Sequence, residues 1–275
     1  MANESVAGMT GSGPMGAPAL EPRAVGAGRG ASWWSEAWRL FTPGIGAWLL
    51  ITILVFLIQC ALSLVSSLLM VIPLVGQLVS MFLLAAAAML FAGGLMIGCR
   101  SVDRGNPLTV GHLFAGFSQR TKPLLMVALL YTAFLTVVLI IVAVVMIALF
   151  GVAFLSTLRA AADPSNMGMA FGTAVSAVLV ALLLFLLLWL PVVMLVWFAP
   201  ALVMLGGMEP WPAMTASFRA CVRNFAPLLV YGAIGLGLAI VASIPFLLGW
   251  LVLYPLGVAT VYASYCDIFE DKDTA

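Results

Sequence analysis

Charge is scarce in this sequence. Only 8% of its 275 residues are Asp, Glu, Lys or Arg, where soluble domains carry about 25%. Hydrophobic residues make up 64% and the mean hydropathy is +1.21. A soluble fold of this length could not hide so much apolar surface, so lipid must be the solvent for most of the chain. The net charge is +1 with no basic run, which argues against a nucleic-acid partner. The four cysteines, Cys60, Cys99, Cys221 and Cys266, form no CxxC pair and read as free apolar fillers.

Chemistry-bearing patterns are equally sparse. The sole histidine, His112, has no acidic or cysteine neighbour in sequence and reads as a surface residue at the lipid boundary. An ionisable residue inside a membrane is the usual mark of function, and the six apolar stretches described below contain none. That argues against ion-coupled transport and intramembrane hydrolysis. No catalytic, cofactor or metal constellation is present, and a non-enzymatic role is expected.

What the sequence does hold is a sixfold run of apolar stretches. Residues 1–31, rich in Gly, Ala and Pro, lack an apolar core and are expected to form a disordered tail. They contain no apolar segment after a basic start, so no cleavable signal peptide is expected. A span needs roughly 20 residues. The stretches are about Ile45–Met70, Gln77–Cys99, Pro123–Gly151, Thr173–Leu205, Pro227–Ile244 and Phe246–Tyr265. The third is long enough to tilt or project, and Pro191 and Pro200 should kink the fourth. The expectation is an all-α polytopic membrane protein with six transmembrane helices over residues 32–268. The acidic end, 269–275, reads as a solvated tail.

Orientation follows from the basic residues. Arg23, Arg29, Arg39, Arg100, Arg104, Arg120, Lys122, Arg219, Arg223 and Lys272 fall on one side of this layout, and Arg159 on the other. The positive-inside rule puts the crowded side, with both termini, in the cytoplasm. The far side then holds two tight turns and a longer loop, 152–172.

Before each odd-numbered span lies a short amphipathic segment. In Ser32–Phe41, Trp33, Trp34, Ala37, Trp38 and Phe41 share one helical face, which suits the membrane interface. In the second segment Thr109 can cap a helix burying Val110, Leu113, Phe114 and Phe117. In the third, Trp211, Met214, Phe218, Val222 and Phe225 form an apolar stripe beside Thr215, Arg219 and Arg223. An R-x-F-x-P pattern ends the first and third, at Arg39–Pro43 and Arg223–Pro227. The chain therefore reads as three parallel units, about 32–100, 101–205 and 206–268, each a surface helix followed by two spans. Arg39, Arg100, Asp103, Arg104, Arg120, Lys122, Arg219 and Arg223 are the candidate contacts to lipid headgroups or to a protein partner. Gly94-x-x-x-Gly98 and the cluster Gly232, Gly235, Gly237 permit close helix approach, within the bundle or across a homodimer seam.

Residues 95–117, LMIGCRSVDRGNPLTVGHLFAGF, with PLVG at 73–76, resemble a family of proteobacterial six-span inner-membrane proteins without assigned activity. More distantly, the unit of surface helix plus two spans looks like YciC-like membrane proteins and the membrane domain attached to some glycerophosphodiester phosphodiesterases. The resemblance implies an inner-membrane location and a six-helix fold, and brings no catalytic residues. Two functions are expected from different classes. One is a scaffold or accessory protein engaging headgroups or a partner through its surface helices. The alternative is a transporter or flippase for an amphipathic or lipid-like solute.

Overall fold

The computed structural model describes residues 20–270 apart from 164 and 166, and of residues 160–162 only the backbone is described. Among the described residues the chain is all-α. In order come α1 (Arg29–Phe41), α2 (Ile45–Leu69), α3 (Val75–Asp103), α4 (Val110–Leu113), α5 (Ala115–Ser118), α6 (Thr121–Ala162), α7 (Met167–Val196), α8 (Ala199–Met204), α9 (Pro210–Arg223), α10 (Phe225–Ser243) and α11 (Trp250–Phe269). A short helical segment thus precedes each of three long hairpins, α2–α3, α6–α7 and α10–α11. Among the described residues six helical stretches are long and apolar enough to cross a membrane.

The first short helix does not lie on lipid. Trp33, Ala37, Leu40 and Phe41 are buried in the protein, because α1 packs against α10 and α11. The second is not one helix but two single turns broken at Phe114. Thr109 caps it as expected, with His112 Nδ1 accepting from the Thr109 N–H at 3.1 Å. It buries Leu113, Ala115 and Gly116, while Phe114 and Phe117 stay exposed. Gly94 and Gly98 are the reason it can sit so close. A Cβ on Gly94 would meet the His112 and Leu113 carbonyl oxygens at 2.5 Å, and one on Gly98 would meet Leu108 at 2.8 Å.

The apolar stripe expected along α9 is largely on the outside: Trp211 and Val222 are exposed, as is Phe225 at the start of α10. The buried face is instead small, with Ala213, Ala216, Ser217, Ala220 and Cys221 joined by Met214. Small residues let backbones approach closely in a membrane, where apolar area alone gives no drive to associate. Burial pushes the Cys221 thiol up to about 12, so it stays a neutral filler at neutral pH.

The largest departure from expectation is the second hairpin. Within the far loop expected over 152–172, α6 continues to Ala162 and α7 begins at Met167, so α6 runs for 42 residues. Ala153, Ala170, Ala177 and Ala181 are buried along this hairpin, where α6 and α7 pack side by side. The fourth stretch also breaks where proline demands it. Pro200 has no N–H and its ring opposes the carbonyl four residues back, so α7 ends at Val196 and Pro200 opens α8. Pro191 stays inside α7.

Candidate functional site

The charged end of the bundle gathers most of the candidate contact residues into internal pairs. Asp103, at the end of α3, accepts from Arg39 of α1 at 2.9 Å and from the Tyr262 hydroxyl of α11 at 3.2 Å. Arg100 pairs with Glu270. Arg120 donates to the backbone carbonyls of Gly207 and Met208, the latter at 3.0 Å. Arg223 donates to the Pro22 carbonyl at 2.9 Å, and Arg219 sits 3.4 Å from Glu21. Arg104 and Lys122 are exposed and join no acidic group among the described residues. Six of the eight candidate contacts thus have partners within the protein.

Two expected tails meet at this end. Of the tail expected over 1–31, residues 1–19 lie outside the described residues, but 20–28 run as a strap across α9, α10 and α11. Asn224, fully buried, clamps the strap from both sides. Its Oδ1 accepts from the Val25 N–H at 2.8 Å and its Nδ2 donates to the Arg23 carbonyl at 2.9 Å. The Arg23 N–H donates to the Ile268 carbonyl at 3.0 Å, and its side chain to the carbonyls of Asp267 and Glu270. Nor is the start of the acidic end, residues 269–270, simply solvated, since Phe269 is buried and Glu270 pairs with Arg100. Asp267 is buried and accepts from Arg29 Nε at 2.6 Å and Trp33 Nε1 at 3.1 Å. Residues 271–275 lie outside the described residues. Asn224 and Asp267 escaped sequence reading because each lies just outside an apolar stretch, where a polar residue looks like a solvated flank.

Above this fastened layer lies a cavity of about 710 Å³ to which all three hairpins contribute. That volume is within the usual range for small-molecule sites. Its walls include Val55 and Gln59 of α2, Met89 and Phe91 of α3, Val193 and Trp197 at the end of α7, Pro200 of α8, Tyr231 and Gly235 of α10, and Tyr254 and Val258 of α11. Among the described residues no charged one lines it. The end nearest α1 is closed by aromatic rings. Trp34 stacks on Tyr231 at 5.2 Å, and Trp197 meets the same ring edge-on at 5.9 Å.

The break between α7 and α8 shapes one wall. Breaking a helix in lipid leaves backbone groups to satisfy, and a neighbouring hydroxyl can serve. Ser217 of α9 does so, donating to the Met194 carbonyl at 2.7 Å and accepting from the Phe198 N–H at 2.9 Å. The broken helix therefore offers no loose carbonyls at these positions for an ion.

A second cavity, about 200 Å³, lies between α7, α9 and α10 and shares Val193, Trp197, Tyr231 and Gly232 with the first. Here α7 leans on α6 and α9, whereas α10 leans on α1 and α11. The two form a lateral groove between the second and third hairpins. The glycine cluster was the available sequence signal, though it reads differently in place. Gly235 lets Trp34 approach, with 3.1 Å from a Cβ to its ring, but a Cβ on Gly232 would meet nothing within 4 Å. Gly257, on the facing helix, has the same freedom. These glycines hold space open rather than close it.

No protein-family model, no curated protein and no solved structure matches the chain.

Proposed function

We propose that this chain is a multi-pass protein of a bacterial inner membrane, charged end in the cytoplasm, that holds and moves a lipid-like molecule through the cavity between its three hairpins without doing chemistry on it. The carrying observation is the uncharged cavity of about 710 Å³ walled by all three hairpins and continuous with a groove between α7 and α10. A chamber reached sideways suits a molecule already dissolved in the bilayer. The cytoplasmic orientation is supported by the basic residues. Arg29, Arg39, Arg100, Arg104, Arg120, Lys122, Arg219 and Arg223 belong to the end carrying the short helices, and Arg159 to the other. What supports a carried apolar molecule is a lining that is mainly aliphatic and aromatic, with Gln59, Tyr231, Tyr254 and three tryptophan indoles as its polar side chains among the described residues.

The scaffold reading keeps one specific support. Exposed Trp211 and Val222 of α9 and Phe225 at the start of α10 make an outward apolar stripe, and Arg104, after the first hairpin, and Lys122, at the start of the second, are exposed and join no acidic group among the described residues. Native mass spectrometry of the protein extracted in mild detergent, without overexpression, separates the two. One retained lipid class per chain supports lipid handling. A stoichiometric protein partner with no bound lipid overturns it in favour of a scaffold.

A further inference from the structure

Among the described residues Gln59 is the cavity-lining residue with a buried acceptor left unmet. Its Oε1 is buried and accepts no hydrogen bond among the described residues. A buried acceptor without a donor is costly, and native proteins rarely leave one so. The Tyr254 hydroxyl, in the facing wall, also has no partner among the described residues. The two stand at one height. At 1.5 Å per residue, Gln59 is about 21 Å from the charged end of α2, and Tyr254 about 22 Å from that of α11. Three of the other four polar rings in the lining are already engaged, Trp197 being the exception. Trp34 Nε1 donates to the Tyr231 carbonyl at 3.3 Å, Trp250 Nε1 to Ser243 Oγ at 3.1 Å, and the Tyr231 hydroxyl accepts from Thr260 at 3.3 Å. The cavity is thus an apolar chamber with aromatic rings at one end and one polar spot about two-thirds of the way across a roughly 30 Å hydrocarbon core.

We infer that the chamber is built for an uncharged long-chain lipid carrying a free hydroxyl, which donates to the Gln59 amide as that amide turns from its buried position toward the chamber, while its chain lies along the groove between α7 and α10. This rests on the lipid-handling reading above. A phosphate headgroup is disfavoured because no Lys or Arg among the described residues lines the chamber, and a buried charge without a partner is far more costly than a buried hydroxyl. A plain hydrocarbon is disfavoured because it would leave Gln59 unmet. Of the polar lipids, a neutral alcohol such as a diacylglycerol satisfies both conditions.

The test reconstitutes the full chain in phosphatidylethanolamine vesicles containing equal mole fractions of dioleoylglycerol and dioleoyl-phosphatidylglycerol, then counts retained lipids by native mass spectrometry. The wild type is expected to favour dioleoylglycerol by about fivefold, the worth of one net hydrogen bond. Gln59→Leu should erase that preference while still retaining lipid. Gly232→Leu or Gly257→Leu, which fill space without a backbone clash, should retain little of either lipid. Thermal unfolding of each variant confirms the fold. No preference in the wild type, a preference for phosphatidylglycerol, or a preference that survives Gln59→Leu overturns the hydroxyl-lipid inference. Undiminished retention in both folded glycine variants overturns the cavity reading beneath it.

Discussion

The third and second hairpins are built from helices of the same kind but differ about twofold in length. The α10–α11 hairpin uses 19 and 20 residues, about 30 Å each at 1.5 Å per residue, which matches the hydrocarbon core. In α6 the uncharged run from Pro123 to Leu158 is about 54 Å long by the same rise. A tilt of about 40°, the upper end of what spanning helices show, reduces that to about 41 Å, the bilayer with its headgroup layers. The fastening differs too. The last turns of α11 are tied by Asp267, Tyr262 and Glu270 to α1, α3 and the strap. The outer half of α6 presents Ile147 at 74% and Phe150 at 70% exposure. Stability should therefore be concentrated at the charged end, while the long hairpin meets mainly lipid beyond its alanine seam.

Substitutions can break that contrast in a graded way. Trp33→Ala removes a side chain with no exposure and its hydrogen bond to Asp267, and should cost about 3–5 kcal/mol. Thermal or denaturant unfolding in detergent measures it. Asp267→Ala deprives both Trp33 Nε1 and Arg29 of their shared acceptor. Because Arg29 keeps some contact with solvent, about 2–3 kcal/mol is expected. Asp267→Asn should recover part of this by keeping an acceptor for Trp33.

Asn224→Ala unclamps the strap from Val25 and Arg23 at about 1–2 kcal/mol. It should also open residues 20–28 to limited proteolysis well before the bundle unfolds. An unchanged cleavage pattern would mean that the remaining contacts of Arg23 hold the strap by themselves. At the other extreme, Phe150→Ala on the long hairpin should stay within about 0.5 kcal/mol, since burial from water is not what holds a lipid-facing ring. A cost as large as that of Trp33→Ala would show that this ring is covered by something other than lipid.

The fold was largely legible because hydropathy is a long-range signal. Each expected stretch overlaps an observed spanning helix, and the shared start at Ile45 and the proline-led break before Pro200 follow from local chemistry. The extension of α6 to Ala162 was not legible, because AFLSTLRAAAD has the polar punctuation of a loop, and its helical state depends on the facing α7. The burial of α1 against α10 and α11 was hidden for a related reason. An apolar face suits lipid and protein equally, and only the third hairpin decides between them. Arg39, Arg100, Arg120, Arg219 and Arg223 were found as a group by their charge. Their internal partners, such as Asp103, Glu270 and the Gly207 carbonyl, lie far away in sequence. The cavity was least legible of all. A glycine that admits a neighbour, such as Gly235, and one that faces open space, such as Gly232, are identical in sequence.

The central claim is that the space between the hairpins is occupied by lipid of a selected kind. A photoreactive diazirine amino acid in place of Leu253, on the cavity wall, tests it most directly, with the same residue in place of exposed Ile240 on α10 as the reference. Irradiated in native membranes, the protein labelled at 253 should cross-link predominantly to one lipid class, while the protein labelled at 240 samples the bulk mixture. Cross-links from 253 to protein alone, or to the same mixture as from 240, would contradict the account.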